Sequence, residues 1–109
     1  MLESLFGSVN CERVLIYLYS RKEGYAREIS LFFDTSLSPI QKQLEKLEAG
    51  GIVCSKLVGR TRLYTFNPRY TFLKEVTGLL EKALSFYPED MRSELLVNRR
   101  RPRRAGKPL

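Results

Sequence analysis

The chain has 109 residues, of which 43% are hydrophobic, and it carries a formal net charge of +7. This length and apolar content predict one domain with a substantial core and exclude a chain that is disordered by composition. No apolar run reaches the roughly 18 residues that span a bilayer, and the start of the sequence lacks a basic segment followed by an apolar one, so we expect a cytoplasmic protein with no signal peptide and no membrane contact.

The first predicted helix covers residues 9–22. Ser8 or Asn10 is its expected N-cap. Its apolar residues are spread so widely around the helix that we expect it to be buried on more than one side. Gly24 follows as the expected C-terminal stop.

A short second helix is predicted over residues 26–33, where Ile29, Phe32 and Phe33 fall on one face. Residues 34–36 are polar. They predict the tight turn that joins paired helices.

The third predicted helix begins with Ser38 as N-cap and Pro39 at the first helical position, where a missing N–H costs nothing. Its apolar residues recur at spacings of three and four and form one stripe, which consists of Leu37, Ile40, Leu44 and Leu47. The helix is expected to end at residues 50–51, a Gly-Gly pair that tolerates left-handed backbone geometry.

A β-hairpin is predicted next, because residues 52–58 and 62–66 are rich in β-branched and aromatic side chains. Residues 59–61, Gly-Arg-Thr, connect the strands and place an arginine at the tip. Paired helices followed by a two-stranded hairpin are typical of a winged helix-turn-helix. We therefore predict a mainly α fold with a small β-hairpin wing, built as a three-helix core plus a long C-terminal helix.

The fourth predicted helix covers residues 70–87 and carries an apolar band that is too wide to be filled by one small domain. Helices one and four are therefore the expected surface of a homodimer. Pro88 breaks the helix, and residues 89–97 are expected to add a short amphipathic turn or helix. The expected dimerisation residues are Phe72, Val76, Leu79, Leu80, Ala83 and Leu84.

Charge is distributed unevenly along the chain. Residues 35–69 carry six basic and two acidic side chains, and residues 99–109 carry six basic and no acidic ones. This distribution suggests that the two basic regions contact one polyanion together. We divide the chain into a winged-helix domain with a C-terminal dimerisation helix over residues 1–97 and a flexible basic tail over residues 98–109. The tail arginines are Arg99, Arg100, Arg101, Arg103 and Arg104.

The expected partner is double-stranded DNA. Its major groove admits one α-helix, and base edges there are read by donors and acceptors such as those of glutamine and lysine. The wing is expected to meet phosphates or the minor groove, with Arg60 as the strongest candidate. We interpret the protein as a homodimeric transcriptional regulator that reads the major groove with residues 38–49 and contacts phosphates with the wing at residues 52–66. The candidate DNA-binding residues are Ser36, Ser38, Gln41, Lys42, Gln43, Lys46, Lys56, Arg60, Thr61 and Arg62.

Metal, disulfide and catalytic chemistry have little support in the sequence. The chain contains no histidine and two cysteines, Cys11 and Cys54, which are far apart. Two cysteines without a secretion signal do not indicate a disulfide framework, and this composition argues against a transition-metal site. General acid–base catalysis most often uses histidine. We therefore expect no cofactor and no enzymatic activity.

The motifs AREIS and SLSPIQKQLEKLEAGGIVCSKLVGRTRLYTFNP resemble winged-helix repressors of the ArsR and MarR type, and the match runs through residues 9–87. The motifs FGS and VGRTRLYTFNPRYTFLKEV are similar to the winged-helix domains that accompany small prokaryotic nucleotidyltransferases. In such proteins the helix that aligns with residues 38–49 enters the major groove. The resemblance therefore implies DNA contact by Ser38, Gln41 and Lys42 and a wing role for Arg60 and Arg62.

The chain also departs from these families. Metal-sensing members carry clusters of Cys or His ligands, which this sequence lacks, so the resemblance does not imply metal sensing. No nucleotidyltransferase motif is present, so any such activity belongs to another protein. Two alternatives stay open. One is a protein-interaction adaptor, for example for a nucleotidyltransferase partner, and the other is RNA binding through the basic tail.

Overall fold

The computed structural model describes residues 1–97, which form six helices and three strands around a shared hydrophobic core. The predicted mainly helical winged helix-turn-helix is confirmed. No helix in this part of the chain is long and apolar enough to cross a membrane. In chain order the elements are α1 (Glu3–Phe6), α2 (Val9–Arg21), β1 (Glu23–Tyr25), α3 (Ala26–Phe32), α4 (Leu37–Ala49), β2 (Val53–Val58), β3 (Thr61–Phe66), α5 (Leu73–Leu84) and α6 (Glu89–Leu96).

Helix α2 lies at the centre of the core. Ser8 caps it, because its Oγ accepts hydrogen bonds from the backbone N–H groups of Asn10 (3.1 Å) and Cys11 (3.3 Å). Five consecutive residues, Val14 to Leu18, are at most 2% exposed. The helix is therefore buried on more than one side, as its wide apolar distribution predicts.

The end of α2 and the segment that follows it differ from the prediction. The helix is capped by Lys22, whose φ of 76° departs from helical geometry, and Gly24 lies in strand β1 and not at the helix stop. A Cβ at Gly24 would stand 2.8 Å from Cε1 of Tyr17, so glycine lets the strand pass close to α2. A strand of three residues is too short to show periodicity, which is why the sequence does not reveal it.

The wing belongs to a three-stranded antiparallel sheet with the strand order β1-β3-β2, whereas the sequence predicts two strands. Strand β2 pairs with β3 along its length. Strand β1 pairs with the other edge of β3, from Glu23↔Thr65 to Tyr25↔Leu63. The wing is therefore tied to the segment that leads into α3.

Helix α4 begins earlier than predicted. Its N-cap is Ser36 and its first helical residue is Leu37, so Ser38 is not the N-cap and Pro39 is not the first helical residue. Proline is still tolerated, because the first four N–H groups of a helix have no intrahelical partner.

The apolar stripe of α4 packs on the core as predicted. Ile40 and Leu44 are 0% exposed and Leu47 is 6% exposed. The helix also ends at the predicted Gly-Gly pair, where Gly50 is the C-cap and Gly51 adopts a φ of 79°. That positive φ explains the glycine, because side chains disfavour left-handed geometry.

The predicted fourth helix is shorter than expected, and the short helix after Pro88 is confirmed as α6. Arg21 fastens α6 to the end of α2. Its Nε donates a hydrogen bond to the backbone oxygen of Leu95 (3.1 Å), and its NH2 donates to that of Glu94 (2.9 Å). The guanidinium also lies 5.0 Å from the ring centroid of Tyr17. These contacts stabilise the carboxyl end of α6, whose last carbonyls have no helical partner.

Glu12 is a buried carboxylate, 3% exposed. It accepts hydrogen bonds from the backbone N–H of Leu2 (2.6 Å) and from the O–H of Tyr87. Burial, and after it the hydrogen bond with Glu12, raises the pKa of the Tyr87 phenol. The cluster joins α2 to the segment before α1 and to the connection between α5 and α6.

Candidate nucleic-acid interface

The outward face of α4 carries the predicted base-reading side chains. Ser38, Gln41, Lys42 and Lys46 are exposed, and Gln43 is half-buried on the flank of the helix. They face outward because the apolar stripe fixes the opposite side of the helix on the core. Within residues 1–97, neither lysine forms an ion pair with a carboxylate. Ser36, which precedes the helix, is exposed as well.

The tip of the wing presents Arg60. Gly59, with a φ of 64°, takes the first central position of a two-residue hairpin turn, where a positive φ favours glycine. Arg60 follows it and is exposed. Thr61 Oγ1 donates a hydrogen bond to the backbone oxygen of Val58 (3.1 Å), so this predicted contact residue also closes the hairpin. Lys56 is exposed on β2.

A cleft of about 330 Å³ lies between α4, the wing and the start of α3. Three arginines and one carboxylate contribute to its lining, so the cleft is positively charged and suits an anion such as a phosphate. The predicted residues that line it are Gln41, Arg60, Thr61 and Arg62. The polar lining residues that the sequence did not single out are Tyr25, Arg27, Glu45 and Tyr64.

Arg27 is the basic candidate that sequence reasoning missed. It is exposed in the first turn of α3. It reaches the cleft because β1, which leads into α3, pairs with the wing strand β3. That pairing joins segments that are far apart in the sequence, so no local pattern indicates it.

Arg62 is bonded to its neighbours at the wall of the cleft. Its NH1 donates a hydrogen bond to Ser55 Oγ (3.2 Å), and Ser55 Oγ donates one to Glu48 Oε2 (2.8 Å). Tyr64 lies beside them and is 8% exposed. Burial, and after it the charge of Glu48, raises the pKa of the Tyr64 phenol, and Arg62 opposes this change. Glu48 belongs to the last turn of α4, so these bonds connect the wing with the helix.

Gln43 and Lys46 lie on the other side of α4. With Cys11, Tyr70 and Val76 they line a separate groove of about 380 Å³. Burial raises the pKa of the Cys11 thiol, and the ammonium group of Lys46 partly offsets this effect. The predicted DNA-binding set is therefore divided between two sides of α4.

The predicted dimerisation residues also fall into two groups. Leu80, Ala83 and Leu84 are 0%, 4% and 6% exposed, so they pack within the core of a single chain. The accessible group consists of Phe72, which is 58% exposed, and of Val76 and Leu79, which are half-buried.

The predicted tail arginines, Arg99, Arg100, Arg101, Arg103 and Arg104, lie outside the described residues. In the described part of the chain, Cys11 is a buried free thiol and Cys54 an exposed one. No group of three His, Cys, Asp or Glu side chains among residues 1–97 is placed to hold a metal ion.

Solved structures of similar fold include a double mutant of Lactococcus lactis ZitR. Its apo form superposes with a TM-score of 0.55 at 15% identity, covering 86% of this chain and 80% of that one. A second structure of the mutant gives a TM-score of 0.50 at 10% identity, covering 81% and 68%. At these identities the similarity shows the fold alone. No protein-family model matches the sequence, and no curated protein matches it.

Proposed function

We propose that the chain binds double-stranded DNA sequence-specifically and acts as a homodimeric transcriptional regulator. The observation that carries the proposal is the shared cleft, in which Gln41 of α4 and Arg60 of the wing line one positively charged space. The polar face of α4 lies exposed beside it. The winged-helix fold shared with ZitR supports a DNA-binding regulator at the level of the fold.

In this proposal α4 enters the major groove and the wing follows the adjacent backbone. The amide of Gln41 offers a donor and an acceptor, which suits the edge of adenine, and Lys42 reaches guanine or a phosphate. Arg60, Lys56 and Arg27 contact phosphates. Phosphate contacts fix the register of the protein on the duplex, and only base contacts read its sequence directly.

We infer that a second copy of the chain packs against α5 and the turn at residues 85–86 that follows it. Phe72, Leu79 and Phe86 recur at intervals of seven, with Val76 between them. An alternation of four and three is typical of a helix–helix seam. Val76 and Leu79 lie within α5, whereas Phe72 is its N-cap and Phe86 lies in the turn after it. Phe72 and Phe86 are 58% and 67% exposed. Leu79 and Phe86 line one surface groove together. Exposed large apolar side chains favour burial by a partner.

The DNA proposal is tested by selecting bound duplexes from a random pool and measuring variants on the selected duplex and on a scrambled one. Arg60→Ala should weaken binding to both duplexes equally. It should also reduce the slope of log affinity against log salt concentration by about 1. Gln41→Ala should weaken binding to the selected duplex more than binding to the scrambled one, so that the difference in binding free energy between them shrinks by about 1–3 kcal/mol. Lys74→Ala, an exposed lysine on α5, is the control and should change neither affinity.

Two outcomes would contradict this reading of the interface. If Gln41→Ala weakens the selected and scrambled duplexes to the same extent, Gln41 does not read bases. If selection enriches no sequence, the binding is not sequence-specific.

Sedimentation velocity tests the dimer. The wild-type chain should sediment with about twice the 12.7 kDa of one copy. Phe72→Glu and Leu79→Glu should shift it to the monomer, because a charge in an apolar seam is costly to bury. Leu31→Glu is the control, since Leu31 is 72% exposed on α3. A wild-type protein that stays monomeric at tens of micromolar would rule out the dimer.

A further inference from the structure

A path of two hydrogen bonds crosses from the wing to α4. Arg62 NH1 donates to Ser55 Oγ (3.2 Å), and Ser55 Oγ donates to Glu48 Oε2 (2.8 Å). Arg62 pairs across the hairpin with Leu57, and Ser55 pairs with Tyr64. Arg62 and Ser55 are therefore diagonal neighbours on one face of the hairpin, within reach of a long side chain. We call this path the Glu48–Ser55–Arg62 tie.

The chemistry of the tie depends on the central hydroxyl. A guanidinium only donates hydrogen bonds and an ionised carboxylate only accepts them, whereas a hydroxyl does both. Ser55 therefore links two groups of opposite charge, and each bond has one charged partner, which makes it stronger than a neutral bond. Ser55 and Glu48 are half-buried, so water screens the bond between them only partly, whereas Arg62 is exposed and its bond to Ser55 is open to solvent.

We propose that the Glu48–Ser55–Arg62 tie sets the angle between the wing and α4, and that Arg62 is a positioning residue and not a phosphate contact. The inference rests on the proposed DNA-binding function and assigns different roles to two arginines of one wing. Arg60 has no side-chain hydrogen bond or ion pair within residues 1–97, so its guanidinium is available to a phosphate. By contrast, the guanidinium of Arg62 already donates a hydrogen bond to Ser55.

The angle matters because α4 and the wing must meet one duplex together. Arg60 lies five positions after Ser55, the last two of them in the turn, so the two residues are at most roughly 16 Å apart. A rotation of about 10° at Ser55 therefore moves the tip by up to about 3 Å, which is enough to break a hydrogen bond to a phosphate. Loss of the tie should weaken DNA binding even where the residue that is changed touches no DNA.

The first test uses the free protein and two variants that match each other in shape. Ser55→Thr keeps a hydroxyl, and Ser55→Val replaces it by a methyl group. Residual dipolar couplings of amides in β2 and β3 are compared with those in α4. We expect Ser55→Val to change the angle between wing and helix and Ser55→Thr to preserve it. An unchanged angle in a folded Ser55→Val chain would overturn the proposal.

The second test measures affinity for the selected duplex as a function of salt. Ser55→Val and Arg62→Ala should each weaken binding roughly fivefold to tenfold, as the loss of one hydrogen bond does, and leave the salt slope unchanged. Arg60→Ala should instead reduce the slope by about 1. Ser55→Thr should bind like the wild type. If Arg62→Ala lowers the slope as much as Arg60→Ala does, Arg62 contacts a phosphate and the assignment is wrong.

A double variant separates a shared tie from two independent contributions. Ser55→Val combined with Arg62→Ala should bind no more weakly than the worse single variant, because both changes break the same path. Additive losses would contradict the tie. If the wild-type chain binds no duplex, the proposed function fails and the role of Arg62 in binding fails with it. The residual dipolar couplings still decide whether the tie sets the wing angle.

Discussion

Gly24 and Gly78 lie in regular elements, yet a side chain would meet different surroundings at each. A Cβ at Gly24 would stand 2.8 Å from Cε1 of Tyr17, whereas one at Gly78 has nothing within 4 Å. Gly24→Ala should therefore lower the free energy of unfolding by about 1–3 kcal/mol through overpacking. Gly78→Ala in α5 should raise it by about 0.5–1 kcal/mol. Urea unfolding measures both, and equal effects at the two positions would contradict the close passage of β1 by α2.

Tyr87 should make stability depend on alkaline pH. Its phenol donates to buried Glu12, and its pKa in the folded chain is raised. Above about pH 10, the ordinary pKa of tyrosine, the unfolded chain loses this proton while the folded chain keeps it. The unfolded state then binds fewer protons, so the free energy of unfolding falls as pH rises.

The variant Tyr87→Phe checks this dependence. It should be less stable at neutral pH, because Glu12 loses a donor, and it should lose less stability than the wild type between about pH 9.5 and pH 11. Urea midpoints across that range give the comparison. Tyr70→Phe, whose phenol makes no side-chain hydrogen bond within residues 1–97, serves as the control. A parallel fall in wild type and Tyr87→Phe would show that Tyr87 is not the source.

Among the elements, α4 shows what spacing can and cannot predict. The stripe of Ile40, Leu44 and Leu47 and the final Gly-Gly pair are visible in the sequence, because they follow from helical periodicity and from backbone freedom. The start of the helix is not visible in this way, because Ser36 and Ser38 are both residues that favour the N-cap position. The helix begins after Ser36, which makes no side-chain cap hydrogen bond.

The local stability of helix α6 should depend on Arg21. The forked guanidinium donates to two carbonyls at the end of α6, Glu94 and Leu95, and a lysine cannot reproduce that planar pair of bonds. Arg21→Lys should therefore speed amide hydrogen exchange in α6 by about tenfold, while amides of β2 and β3 keep their protection. If exchange in α6 is unchanged, the bonds of Arg21 do not stabilise this helix.

At the scale of the whole molecule, the sequence predicts the candidate site only in part. The polar face of α4 and the arginine at the wing tip are local features, and the structure brings Gln41 and Arg60 to one cleft. The presence of Arg27 there and the bonds of Arg62 depend on how strands pair and how the wing leans on α4. Such placements arise from contacts between distant segments, which local patterns do not encode.

The charge asymmetry of the chain leads to a prediction about residues 98–109. A chain that ends at residue 97 lacks six basic side chains. It should bind the selected duplex more weakly, with the same sequence preference and with a salt slope smaller by about 0.9 for each phosphate that the basic segment neutralises in the full chain. Gel shifts at several salt concentrations measure both. An unchanged slope would assign the basic segment to a partner other than this duplex.

The pairing of β3 with strands on both of its edges has a mechanical consequence. The chain leaves the sheet at Tyr25, forms α3 and α4, and returns to the same sheet at Val53. Both ends of this helical pair connect to one sheet, and the Glu48–Ser55–Arg62 tie holds the wing against α4, so we expect the surface formed by α4 and the wing to resist bending. In any mismatch of shape the double helix is the partner that yields, so pliable pyrimidine–purine steps beside the contacted bases should be favoured even though no side chain reads them.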